Sequence, residues 1–181
     1  RDNTAAAVTK WQTSLGVTDL KIKGYAEFFK LPSAPYYLNG VTVYGRCASA
    51  FAGGAKVTIS RCKYYTNSYN FSSIVETLAT ATLSKEEIAP TQEGGTAYFL
   101  KFKNLKDAEG HDIDGLVVSS AIMVTFTLDE GDTTTPFMPY FKIGEDVKND
   151  VHNYMLCDYT KSGTAYTDVY AAANLSYSDG P

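Results

Sequence analysis

The stretch NLKDAEGHDIDGL, Asn104 to Leu116, sets Asp107, Glu109, Asp112 and Asp114 close together along the chain. Carboxylate oxygens are the hard donors that calcium takes, and Asp107, Asp112 and Asp114 are the set to hold it. The spacing departs from the EF-hand loop, however, and D-x-D-G is also an ordinary turn. A turn with no cofactor is therefore favoured over calcium. The second acidic run, DEGDTTTP from Asp129, reads as a solvated loop.

Aromatic residues offer a second chemistry. The chain carries 14 tyrosines in 181 residues, more than a core readily accepts, because each buried phenol needs a partner for its hydroxyl. In VTVYGRC, Val41 and Val43 share one face of a strand with Cys47, and Thr42, Tyr44 and Arg46 share the other. In KVTISRCKYY, Val57 and Ile59 are the apolar set and Cys62 and Tyr64 point the opposite way. A hairpin centred on Gly54 would place Tyr44 opposite Tyr64 and Arg46 opposite Cys62. Tyr44, Arg46 and Tyr64 would then form a flat aromatic platform beside a cation, suited to a sugar ring or a peptide. The competing reading is that this face packs on another strand layer or a neighbouring module.

The same alternation turns Cys47 inward and Cys62 outward, and side chains on opposite faces cannot meet the geometry of a disulfide. A bulge near Gly53-Gly54 or at Arg61 would restore the pairing. With Cys157 the count is odd, and three separate thiols are favoured. The cysteines and the two histidines, His111 and His152, form no zinc-type cluster in the sequence. No nucleophile elbow, H-E-x-x-H, G-x-G-x-x-G or P-loop is present. Glu27 and Glu76 lie in strands and could face one another as a glycosidase pair, but the favoured reading leaves them solvated on a polar sheet face. His152 and Cys157, five residues apart on a strand, fall on opposite faces. The expectation is a chain without catalysis of its own.

The elements that must position these residues are strands. Runs of β-prone residues start near Tyr25, Val41, Lys56, Ser73, Ala97, Leu116, Pro136, Val151 and Thr164, separated by Gly, Pro, Asn or Asp. Such spacing points to an all-β antiparallel sandwich, jelly-roll-like, or to a barrel. Before them, DNTAAAVTKWQTSLG offers a cap at Asp2, Asn3 or Thr4, apolar Val8, Trp11 and Leu15 at helical spacing, and Gly16 as a stop. The division expected is a lead-in or short helix over 1–23 and a sandwich domain over 24–181. In SKEEIAP, Ser84 and Glu87 have capping-box spacing and Pro90 ends the turn.

The succession AEFFKLPSAPYYLNGVTVYGRC, KVTISRCKYY, IVETLATATLS, YFLKFKNL and SAIMVTFTL resembles a family of jelly-roll-like sandwich domains of secreted and outer-surface proteins of Bacteroidetes. The resemblance covers about Gly24 to Gly131 and rests on strand texture and order. Arg61 departs from it, standing where such strands carry an apolar residue. The resemblance implies a non-catalytic, exported module beside enzyme or adhesin domains, placed outside the cell or on its outer surface.

Composition sets further bounds. One domain fits the length, charged residues make up only 20%, and the formal net charge of −4 offers no field for a nucleic-acid backbone. No apolar run is long enough to span a membrane. Arg1 in first place points to a processed chain. The functional expectation is a module binding a glycan or an extracellular protein, with a structural spacer or adhesin-type subunit as the alternative. The parity of the cysteines is open to a direct check: thiol titration in denaturant without reductant should find all three free, and a single free thiol would overturn the parity argument.

Overall fold

The computed structural model describes residues 5–30, 35–46, 53–63, 73–88, 97–118, 121–128, 140–143 and 154–171. Helix α1, Ala5–Leu15, ends at Gly16 with φ +67, the left-handed turn that stops a helix. Its Trp11 is buried and its Leu15 packs on the core.

Eleven strands follow among the described residues: β1 Thr18–Lys30, β2 Tyr36–Leu38, β3 Val41–Arg46, β4 Ala55–Lys63, β5 Ser73–Leu83, β6 Ala97–Phe102, β7 Leu116–Val118, β8 Ala121–Leu128, β9 Tyr140–Lys142, β10 Tyr154–Lys161 and β11 Thr164–Ala171. They form a six-stranded sheet in the order β11-β10-β1-β8-β4-β5, a three-stranded sheet β6-β3-β9 and a two-stranded ribbon β2-β7. All the ladders are antiparallel. The chain is an all-β sandwich with one short helix.

Two boundaries differ from expectation for identifiable reasons. β1 begins at Thr18, inside the stretch read as a lead-in, because register shifts between Thr18 and Lys21 and between Ile22 and Gly24 break the alternation that would have announced it. Asp19 takes φ 55 within the first of these. The run LVVSSAIMVTFTL, read as one strand, is two: β7 pairs with β2, and β8 enters the large sheet.

The expected hairpin between β3 and β4 does not form. β3 pairs with β6 and β9, placing Tyr44 beside Phe99 and Tyr140 and Arg46 beside Ala97. β4 pairs with β5 and β8, and Cys62 lies opposite Ile74. Alternation settled which face of each strand is apolar, since Val41, Val43, Val57 and Ile59 are all buried. It carries no information on which strand lies alongside.

The sheets meet at Phe126 of β8. Its ring packs edge-on against Phe102 of β6 at 6.2 Å and Phe141 of β9 at 6.4 Å between centroids. Tyr25 and Val57 flank Phe126 on the neighbouring strands, and Ala81 extends the row to β5. Ala26, Met123, Thr125 and Ser60, which point the other way, are buried as well, so the centre of the large sheet is covered on both faces.

Glu27 follows the same parity. It lies opposite Val124, between Tyr25 and Phe29 on the inner face, and is only 2% exposed. The expected solvated glutamate is therefore a buried one. Glu76 is exposed and bonded to Arg61 at 2.6 Å. Their strands are three ladders apart, about 14 Å at ordinary strand spacing, too far for a glycosidase pair. Arg61 keeps the parity of Val57 and Ile59 but stands exposed, so the apolar face ends before it.

β1 can lie against β8 only because residue 24 is glycine. A Cβ there would sit 1.9 Å from the carbonyl oxygen of Phe126, a backbone atom that cannot swing aside. Gly24→Ala should thus cost about 1–3 kcal/mol or more, the scale of overpacking. Phe126→Ala should cost about 3–5 kcal/mol through the cavity it opens. Urea denaturation measures both; a loss under about 1 kcal/mol in each would refute this account of the sheet contact.

Candidate functional site

The outward face of the three-stranded sheet holds the one predicted binding residue whose side chain is described, Tyr44. β3 presents Thr42 and Tyr44 on this face, and β6 presents Phe99 and Lys101. Tyr44 and Phe99 are direct cross-strand partners with ring centroids 4.7 Å apart and planes at 72°, an edge-to-face pair. Lys101, two residues along β6, sets its ammonium 4.9 Å from the centre of the Phe99 ring. A cation thus stands beside the aromatics in Lys101; the side chain of Arg46, the cation expected there, lies outside the description. The rings are half-buried and perpendicular, so the cluster is ridged and not flat. Arg46 continues β3 opposite Ala97 in the ladder. Tyr64 lies outside the described residues, as does Cys47.

The acidic loop is built differently from a calcium loop. After β6, Leu105 buries its side chain, and Lys106 exchanges backbone hydrogen bonds with Thr80 of β5 at 2.9 and 2.7 Å, which closes part of that strand's outer edge. Asp107 then serves the loop itself. Its carboxylate accepts from the backbone N–H of His111 at 2.8 Å and of Glu109 at 3.0 Å, and it lies 3.2 Å from His111 Nδ1. Asp112 pairs with Lys106 at 2.5 Å. The donor set that the fold draws together is Asp107, Glu109 and His111, whose ligand atoms lie within 4.8 Å of one another. Asp112 and Asp114 belong instead to the wall of a neighbouring hollow, with Thr82, Glu87, Lys103, Asn104 and Lys106.

Glu87 enters that wall from the single 3-10 turn Lys85–Glu87. There its carboxylate accepts the Ser84 backbone N–H at 2.7 Å, as the capping-box spacing predicts.

Sequence reasoning missed Tyr37. On the β2-β7 ribbon Tyr36, Leu38 and Val118 turn toward the core, and the Tyr36 hydroxyl donates to the Ile143 carbonyl at 3.1 Å. Tyr37 and its cross-strand partner Val117 face outward, 55% and 68% exposed. The YYL triplet carries a period-two signal too short to separate from its loop. Cys157 takes part in no disulfide and is fully buried, an inert position for a nucleophile; His152 lies outside the described residues.

The class these observations define is an all-β antiparallel sandwich with aromatic groups on the outer surfaces of its small sheet and ribbon. Comparison with known protein families, curated proteins and solved structures finds no match to the chain. No helix among the described residues is long and apolar enough to cross a membrane.

Asp107 yields a pH prediction. The backbone N–H of His111 chiefly holds its carboxyl below the usual aspartate range, against the opposing effect of burial, with the His111 ring and the Glu109 N–H adding to the lowering. A depressed folded-state value means that the stabilisation is present above the unfolded value and is lost as pH falls through the folded one. Asp107→Ala should therefore be less stable than the parent near about pH 6, and the gap should narrow as pH falls below the ordinary aspartate value. Urea denaturation across that range checks it; a gap that stays constant with pH would show that the Asp107 charge plays no part.

Proposed function

We propose that the chain is a non-catalytic, exported module that binds a glycan or an extracellular protein at the outer cell surface. The observation that carries this reading is the Tyr44, Phe99 and Lys101 cluster on the outward face of the three-stranded sheet. An outward face needs only polar residues to stay in water, whereas aromatic side chains and cations are the groups that dominate recognition surfaces. The formal charge of −4 favours partners other than nucleic acid. A neighbouring domain of a longer chain is a partner of the same chemistry.

A second reading, a structural spacer or adhesin-type subunit, draws on a different feature. β11 ends the six-stranded sheet, and its outer edge has no ladder among the described residues. Such an edge is a template for another strand.

A glycan array and a panel of extracellular-matrix proteins, each with and without calcium, separate the two. The parent protein should give a specific hit that Tyr44→Ala/Phe99→Ala abolishes. The double variant should lose about 2 kcal/mol of stability, less than the about 3–5 that each fully buried aromatic would cost. No hit, together with concentration-dependent self-association in sedimentation, would overturn the binding reading in favour of the subunit.

A further inference from the structure

We infer that Asn39 is a site of spontaneous covalent modification, converted through a cyclic imide to aspartate and isoaspartate. It lies at the joint between the β2-β7 ribbon and the three-stranded sheet, where Asn39 and Gly40 form the whole connection from β2 to β3. The fold fixes the glycine. A Cβ at residue 40 would sit 2.7 Å from the carbonyl oxygen of Phe102, a backbone atom, and 3.5 Å from Lys103 Cγ. A glycine N–H following an asparagine is the least hindered backbone nucleophile that the amide side chain can meet. Neither group is engaged elsewhere. Asn39 is exposed, and neither its side-chain amide nor the Gly40 N–H makes a hydrogen bond with the described residues.

The reaction needs water and no other reagent. As the Gly40 nitrogen gives up its proton to solvent, it attacks the side-chain carbonyl carbon of Asn39. A bond forms between that nitrogen and Cγ, the Cγ–Nδ2 bond breaks, and ammonia leaves with a proton returned from solvent. One water then opens the five-membered ring at either carbonyl. Cleavage of the bond just made leaves ordinary aspartate. Cleavage of the original peptide bond leaves isoaspartate, with the main chain routed through the side-chain carbon. The net change is one water consumed, one ammonia released and one carboxylate gained.

Two other dipeptides among the described residues come close and each lacks a condition. Asn104 precedes Leu105, whose N–H already donates to the Lys103 carbonyl at 2.9 Å and whose side chain is buried. Asp114 precedes Gly115, but its carboxylate is a poor electrophile at neutral pH, and its isomerisation changes neither mass nor charge. At Asn39 the product bears on the fold. Leu38 and Val41, on either side of the joint, are buried and paired with Leu116 and Phe102. Ordinary aspartate keeps the main chain between them intact, and its charge is met by Lys103, whose side chain lies against Gly40. Isoaspartate instead adds one backbone atom between two anchored residues. The ribbon that carries Tyr37 must then shift against the sheet that carries Tyr44. Asn39 is in this sense an irreversible clock on the placement of two outward aromatics, and it runs whether or not either one meets a ligand.

The test ages the folded protein at mildly alkaline pH and physiological temperature. Peptide mapping with electron-transfer fragmentation, which separates aspartate from isoaspartate, then follows each asparagine. Asn39 should convert about tenfold or more faster than Asn104, because Leu105 carries a side chain where Gly40 carries a hydrogen. Asn39→Gln keeps the amide but lengthens the ring to be closed, and its glutamine should stay intact on the same timescale. The isoaspartyl form, isolated by ion exchange, should unfold at a lower urea concentration than Asn39→Asp, which should stay close to the parent. Conversion of Asn39 no faster than of Asn104, conversion seen only in denaturant, a product that is aspartate alone, or an isoaspartyl form as stable as Asn39→Asp would each overturn the inference.

Discussion

Everything in this sandwich is arranged around the packing of Phe126 against Phe102 and Phe141. The ring belongs to β8, which has a strand on either side in the large sheet, and it touches both outer strands of the small one. Once its direction is set, cross-strand parity assigns a face to every residue of β1, β4 and β5 that pairs through β8, directly or at one remove. Gly24 completes the constraint by allowing the backbone of β1 to approach the Phe126 carbonyl where any side chain would block it. The outward direction of Tyr44 and Phe99 follows from the same constraint, because Phe102 turns inward to meet Phe126 and Val43 and Leu100 share its buried face.

What the sequence reveals about this fold is local. The helix stop at Gly16, the capping box at Glu87, the inward Val41, Val43, Val57 and Ile59, and the all-β class rest on interactions within a few residues, and the folded chain keeps them. Partner choice is not local. Two alternating runs about a Gly-Gly look like a hairpin, yet the intervening chain is long enough for β3 and β4 to enter different sheets. The apolar faces are buried equally well that way. The register shifts hid the first half of β1 for a related reason, since one extra residue reverses the apparent face of everything before it.

The same distinction governs the candidate sites. Tyr44 was legible because it stands in a six-residue strand with clear alternation, whereas its partners Phe99 and Lys101 come from more than fifty positions along the chain and could not be assigned to it. In the acidic loop, residue types indicated oxygen ligands, but hydrogen bonding decides what each carboxylate does. Asp107 is used by the N–H groups of its own turn and Asp112 by Lys106. Of the three, only Asp114 has no such contact with the described residues.

The half-buried Tyr44 and Phe99 pair and the exposed Tyr37 show how context sets the availability of a ring. Phe99 meets the edge of Tyr44 and lies under the Lys101 ammonium, so its π-surface is largely engaged within the sheet. Such a cluster stabilises the small sheet whether or not a ligand arrives, and the cation remains as its point of attraction. Tyr37 rests on the backbone of Gly115, where a side chain would displace its ring, and is 55% exposed. The cross-strand cluster is the one that alternation anticipates, because the three-residue ribbon strand is too short to carry that signal.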